Sequence, residues 1–236
     1  MEILELLQAE KGYRYNIDSM LLARFANFKE SEKVCDLGSG VGILAILALL
    51  RGKASKVWAI EVQEELSKYL HKNIEKYSLK DSLTVLETNW KEVKKHLKAA
   101  SMDLLISNPP YRKAQSGKIP QHSVKAIAKQ EIEGCISDLI AAASYLMKPK
   151  GRFVVIYPCL RLEEFMLEIA KKKLKIQRMQ FIHPFLEKKA THFMAETVRS
   201  VAGEITLEKP LIIYKDPDHY MPEIENWLGS KKTKSL

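Results

Sequence analysis

Nothing in the chain limits its possible folds as sharply as the stretch from Lys33 to Arg51. Lys33 to Leu37 reads as an apolar strand, Gly38-Ser39-Gly40-Val41-Gly42 as a glycine loop, and Ile43 to Arg51 as the helix that the loop opens. Glycines let a loop turn tightly and bring its backbone close to a ligand. The alternation then continues. Lys56 to Ile60 reads as a second strand ending in Glu61, and Gln63 to Tyr77 as a helix with Leu66, Leu70 and Ile74 on one face. Leu83 to Leu86 is a third strand, followed by Asn89, Trp90 and a lysine-rich helix from Lys91 to Lys98. Met102 to Ser107 is a fourth strand. Ser123 to Leu146 reads as mostly helical, Lys148 to Gly151 as a turn, Arg152 to Tyr157 as a fifth strand and Arg161 to Lys173 as a helix. Lys175 to Ile182 and Phe193 to Arg199 form a strand pair, and Leu211 to Tyr214 a short strand. Ahead of all this, Glu2 to Gln8 starts a strand or helix, and Asp18 and Ser19 cap a helix from Met20 to Phe28.

Strands alternating with helices imply right-handed crossovers and a mainly parallel sheet. The expectation is an α/β fold with an antiparallel strand pair near the C-terminus. Ligands of open α/β sheets lie beyond the carboxyl ends of the strands, near the switch in strand order. The glycine loop, Glu61, Asn89 and Asn108 to Tyr111 all fall just after strand ends.

The loop spaces its glycines as G-x-G-x-G, unlike the G-x-G-x-x-G of dinucleotide sites. Asp36 precedes it and would repel a pyrophosphate but hold an ammonium group. Glu61 can accept both hydroxyls of a ribose. Asn89 is placed to bond an adenine amino group or ring nitrogen. Amino acid, ribose and adenine together make S-adenosylmethionine. The bland reading is a strand-turn-helix with structural glycines, and three strand-end residues acting in concert weigh against it. The fourth strand ends in Ser107-Asn108-Pro109-Pro110-Tyr111. Two prolines have fixed φ and no N–H, so the chain leaves the sheet in an extended path. That fixes two acceptors, the Asn108 amide and the Pro109 carbonyl, beside the Tyr111 ring. The trio suits a flat group carrying an NH2. On its own it is equally a stiff turn with Asn108 bonded to its own backbone.

The 236 residues suit one large domain, or one domain with a small appendage, and 46% apolar with 28% charged residues is ordinary for a globular chain. Cys35, Cys135 and Cys159 are scattered, with no Cys-x-x-Cys and no neighbouring His cluster. This argues against disulfides and a metal site, and for a reducing cytosol. Glu2 and Glu5 head a terminus with no signal-peptide pattern. The run Ile43 to Leu50 is too short to span a bilayer. The net charge of +9 favours a polyanionic partner, though part of it lies in Lys231-Lys232-Thr233-Lys234, a solvated end.

Asp36 to Gly42, Glu61, Asn89 and Asn108 to Tyr111 resemble the ordered motifs of class I S-adenosylmethionine-dependent methyltransferases. The Asn-Pro-Pro-Tyr form is similar to that of members that methylate adenine N6 or a glutamine amide. With Tyr15 to Ala23 ahead of the loop, nearly the whole chain up to Tyr214 most resembles the bacterial tRNA1(Val) adenine-N6 methyltransferases. Asn89 departs from the Asp of many relatives. The resemblance implies a Rossmann-like fold with a seven-stranded sheet and helices on both faces. It divides the chain into an N-terminal segment 1–30, a methyltransferase domain 31–215 and a C-terminal extension 216–236. It implies a cytoplasmic enzyme, a monomer by default and without metal or membrane, that methylates an adenosine of tRNA near the anticodon. Asn108, Pro109 and Tyr111 would be catalytic. Asp36, Gly38, Ser39, Gly40, Gly42, Glu61, Asn89 and Asn108 would hold the cofactor. Tyr13, Arg14, Arg112 and Lys113 would meet the RNA, against the plainer readings of packing and a solvated loop. His122, His183 and His192 show no acid partner in the sequence, and Trp90 reads as core. Two rivals stay open. One is a glutamine methyltransferase of release factors, a family that usually carries a helical N-terminal domain where about thirty residues precede Val34 here. The other is a non-catalytic RNA-binding module with a relic pocket.

Overall fold

A computed structural model of the chain describes residues 4–8, 17–110, 135–199 and 203–228. The elements in order are α1 (Ile17–Ala26), β1 (Lys33–Leu37), α2 (Ile43–Leu50), β2 (Lys56–Ile60), α3 (Glu64–Lys76) and β3 (Leu83–Leu86). A 3-10 turn (Trp90–Lys95) leads to β4 (Met102–Ser107). Then follow α4 (Ile136–Leu146), β5 (Met147–Pro158), α5 (Leu162–Lys171), β6 (Leu174–His183) and β7 (His192–Arg199). The chain closes with β8 (Thr206–Leu207), β9 (Leu211–Ile212), β10 (Tyr214–Asp216), β11 (His219–Tyr220) and α6 (Pro222–Leu228).

Among the described residues the sheet has nine strands in the order β3-β2-β1-β4-β5-β7-β6-β8, with β9 also paired to β6. Two-residue strands on the β6 edge therefore extend the seven expected. The strands β1 to β5 run parallel. Only β7 is inserted antiparallel, between β5 and β6. Strand order reverses between β1 and β4, and Asp36 of β1 pairs with Ala59 of β2 on one side and Ile106 of β4 on the other.

Burial explains the sequence pattern. Residues Val34 to Leu37 are all buried, because helices cover both faces of the central strands. α2 is apolar all round, with Ile43 to Ala48 buried. α3 is amphipathic and turns Leu66, Leu70 and Ile74 inward. One apolar cluster joins α1, α2 and α3 to one face of the sheet and also takes in Leu4, Leu6 and Ile224. A second joins α4, α5 and the 3-10 turn to the other.

Several sequence expectations are corrected. The described helix α1 already includes Asp18 and Ser19, so they lie in its first turn rather than capping it. The lysine-rich helix is a 3-10 turn that starts at Trp90, capped by the Asn89 side chain accepting from Lys91 N at 2.9 Å. Lys148 to Gly151 is a bulge within β5, where the register with β4 jumps from Met147 to Arg152.

Candidate cofactor and target cleft

The carboxyl ends of β1, β2 and β4 open onto one cleft of about 490 Å3. Its walls are Gly38, Gly40, Ile60 to Gln63, Leu66, Thr88 to Trp90, Asn108 and Pro110. Gly38, Gly40 and Gly42 have φ of 80°, 58° and 94°, conformations that side chains disfavour. A Cβ on Gly38 would meet the Trp90 ring at 3.1 Å. Backbone amides of Gly38 and Ser39 both donate to the Ile60 carbonyl at 2.9 Å, tying the loop to β2.

Glu61 is 5% exposed, and its carboxylate is shared by two elements. Oε2 accepts from Gly40 N and Oε1 from Gln63 N, each at 2.8 Å. A carboxylate oxygen can accept more than one hydrogen bond, so a hydroxyl can join such an arrangement. Asn89 Oδ1 accepts from the backbone N–H of Lys91 at 2.9 Å. Asp36 lies fully buried beneath the glycine loop rather than on the cleft wall. Ser39 Oγ donates to its Oδ2 at 2.7 Å, while Oδ1 has no hydrogen-bond partner among the described residues. Burial lifts the Asp36 carboxyl from 3.8 to about 7, opposed by the Ser39 bond. Gly42 sits at the head of α2, behind the wall.

The fit of these residues to S-adenosylmethionine can be tested on the donor set. Among the described residues no Lys or Arg stands on the cleft walls. A carboxylate, an amide and apolar side chains remain, with an orphaned buried carboxylate oxygen below. That set matches a phosphate-free cofactor carrying an amino acid, a ribose and a base.

At the end of β4, Ser107 Oγ donates to the Leu37 carbonyl at 2.6 Å and pins the strand end to β1. Asn108 is 8% exposed and Pro109 is buried, whereas Pro110 is exposed. Asn108 Nδ2 donates to Ser19 Oγ at 2.9 Å. Tyr13, Arg14, Tyr111, Arg112 and Lys113, and with them His122, lie outside the described residues.

Some site features escaped the sequence reading. Trp90 is core, at 6% exposed, yet also a cleft wall. Ser19 is a partner of Asn108, a contact across 89 positions that no local pattern signals. His192 has an acid near it after all. Burial lowers its pKa and the Asp18 carboxylate works against that shift.

Fold and cleft together define a Rossmann-like α/β protein with its cleft at the carboxyl ends of the strands. Among solved structures, a predicted O-methyltransferase from Agrobacterium tumefaciens superposes with a TM-score of 0.71 at 20% identity, covering 89% of this chain and 94% of its own. A geranyl diphosphate C-methyltransferase from Streptomyces coelicolor A3(2) was solved with Mg2+, geranyl-S-thiolodiphosphate and S-adenosyl-L-homocysteine. It matches with a TM-score of 0.59 at 11% identity over 78% of this chain and 75% of that one. The family model described as "Methyltransferase small domain" matches residues 14–181. The chain belongs to that family. A curated relative from Dyadobacter fermentans, named tRNA1(Val) (adenine(37)-N6)-methyltransferase, is 25% identical over 84% of this chain and 81% of its own length.

Proposed function

We propose that this chain is an S-adenosylmethionine-dependent methyltransferase that modifies the exocyclic N6 of an adenosine in tRNA. One observation carries the reading: Asn108 and the proline pair follow β4 on the rim of a cleft that also holds Glu61 and Asn89. The name of the Dyadobacter relative supports the choice of an adenosine beside the anticodon. The net charge of +9 suits a polyanionic substrate.

Gly38, Gly40, Glu61 and Asn89 would hold the cofactor, with Asp36, Ser39 and Gly42 shaping the loop beneath it. When bound, S-adenosylmethionine supplies an activated methyl electrophile. The chain's own residues prepare the nucleophile. An adenine N6 is weakly nucleophilic because its lone pair is delocalised into the ring. Asn108 Oδ1 and the Pro109 carbonyl each accept one of its N–H bonds. That pulls the nitrogen toward tetrahedral geometry and returns the lone pair to it. Tyr111 stacks on the base and fixes its approach. The nitrogen turns acidic on alkylation and loses its proton to water, so no dedicated base is required. Tyr13, Arg14, Arg112 and Lys113 grip the RNA around the flipped base. A base in a loop is cheap to turn out and easy to stack upon.

The test is transfer of labelled methyl to total tRNA and, in parallel, to a release factor, followed by nucleoside analysis. The expected product is N6-methyladenosine in tRNA. Label confined to a glutamine amide of the release factor would overturn the RNA reading. Calorimetry without heat on adding S-adenosylmethionine would overturn the cofactor.

A further inference from the structure

We propose that Leu160 and Leu186 are apolar wedges that enter the RNA beside the target adenosine and stack on its neighbouring bases, while Lys188 and Lys189 meet the adjoining phosphates. The proposal rests on the RNA reading above. Among the described residues these two leucines are the most exposed large apolar side chains, at 98% and 74%. One exposed leucine on a surface is ordinary. Here both stand at the carboxyl end of the parallel strands, the end where Asn108 and the cleft lie. Leu160 is the middle residue of the turn Cys159–Arg161 that follows β5. Leu186 lies in the connection from β6, which ends at His183, to β7, which starts at His192. Strand β7 runs against both its neighbours, so β6 ends at the same side of the sheet as β5.

The register raises both loops above the target. β4 and β5 pair as far as Ser107 with Val155, whereas β5 and β7 go on pairing to Pro158 with His192. From Val155 to Pro158 the overhang is about 10 Å, at roughly 3.3 Å per residue. The cleft opens at the ends of β1, β2 and β4, and β5 flanks β4 on the opposite side. With the cofactor on one side, RNA that brings a base to Asn108 runs along the other, beneath the overhang. The two loops are tied down, so the leucines are presented on held backbone. Cys159 N donates to the Thr191 carbonyl at 2.9 Å and joins one loop to the other. Lys188 N donates to the Phe185 carbonyl at 3.0 Å, and Tyr214 N to the Pro184 carbonyl at 2.8 Å. The Phe185 ring lies 5.5 Å from that of Tyr214. Lys188 and Lys189 are exposed next to Leu186 and outweigh the acid between them, Glu187. A base turned out of its stack leaves a gap, and an apolar side chain that fills the gap offsets the cost. Apolar tips set beside cations suit a ligand that alternates flat bases with phosphates.

The experiment uses an RNA hairpin with the adenosine in its loop and an unstructured strand of the same bases. Wild type is compared with Leu160→Ala, Leu186→Ala, the double variant and Leu160→Met. Each alanine should lower kcat/KM on the hairpin by roughly five- to a hundredfold, the scale of one lost stacking contact. The unstructured strand has little stack to open and should lose less than about threefold. Leu160→Met should keep most of the rate. With 2-aminopurine in place of the adenosine, hairpin fluorescence should rise on binding wild type and rise less with the double variant. Melting temperature and S-adenosylmethionine affinity should stay at wild type, because both side chains stand in water. Wild-type rates on the hairpin in the double variant would overturn the proposal, as would equal losses on hairpin and unstructured strand. A wild-type dimer that either alanine dissociates would assign the leucines to a second copy and overturn it too. Methylation of the hairpin without a fluorescence rise would overturn the wedges alone. A fluorescence rise that depends on the leucines, without methylation, would overturn the proposed reaction and leave the wedges standing. Neither signal from wild type would overturn both.

Discussion

Asp36 carries a proton-linked cost that its neighbours only partly relieve. Its carboxyl is raised from 3.8 to about 7, with burial the largest cause. A raised pKa means that the folded state binds the proton more tightly than the unfolded one. The stability this lends is full below about pH 4 and is lost as pH climbs to about 7. Asp36→Asn should therefore match wild type near the acid limit and melt higher than wild type above neutrality, without ligand. In the same variant calorimetry should find weaker binding of S-adenosylmethionine, because the loop that carries Gly38 and Gly40 loses the carboxylate beneath it. Equal melting curves at alkaline pH would count against the buried-acid account. Asn108 gives a complementary expectation. Asn108→Ala removes an acceptor from the target and leaves the loop of Gly38 to Gly42 untouched. Methyl transfer should fall by at least about a hundredfold, while cofactor affinity stays close to wild type. Asp36, Glu61 and Asn108 were all readable from the chain, because each stands beside a strand end. Ser19 and Trp90 were not, because their roles come from contacts that no spacing encodes.

Two elements hold the cleft in shape, and each can be challenged apart from the chemistry. The first is the loop into α2. Gly42 has φ of 94°, and a Cβ there would lie 2.3 Å from Leu70 Cδ1. Gly42→Ala should cost about 1–2 kcal/mol for the left-handed backbone alone, with the displaced Leu70 adding to it. Urea unfolding should show a lower midpoint, and a wild-type midpoint would mean that the loop relaxes. The second is the clamp on α1, where Arg178 donates to the Phe25 carbonyl and Arg152 to that of Ala26. Arg152 is 6% exposed, pairs with Glu32 at 3.0 Å and lies 3.7 Å from Glu196. Glu196 pairs in turn with Arg178 at 2.9 Å. Arg152→Leu leaves two nearly buried carboxylates short of a partner, which should cost about 3–5 kcal/mol. Chemical denaturation measures that loss, and a cost below about 1 kcal/mol would show that water had replaced the ion pair.

Across the molecule, net charge and cleft chemistry divide the labour. Among the described residues the cleft walls carry no Lys or Arg, although the chain as a whole has a charge of +9. A net charge of that size attracts RNA over a long range that ions screen. Affinity for tRNA should fall at least about tenfold between roughly 50 and 200 mM salt, with cofactor affinity little changed. Filter binding or anisotropy across that range checks it, and a flat response would point to a protein substrate. Among the described residues no helix is long and apolar enough to cross a membrane, and no group of His, Cys, Asp and Glu is arranged to hold a metal ion.

The order of strands and helices, the glycine loop and the strand-end residues Glu61, Asn89 and Asn108 followed from the chain read alone. These are local facts. Apolar runs, glycine spacing and proline pairs act over a few residues, so their pattern survives in one dimension. The antiparallel place of β7 between β5 and β6 and the shift of Asp36 beneath the loop rather than onto the wall came only with the folded chain. So did the bond from Asn108 to Ser19 and the arginine clamp on α1. Each depends on residues brought together across tens to more than a hundred positions, where burial removes water and selects the partner. Sequence named the candidate groups for the chemistry, and packing determined which way they face.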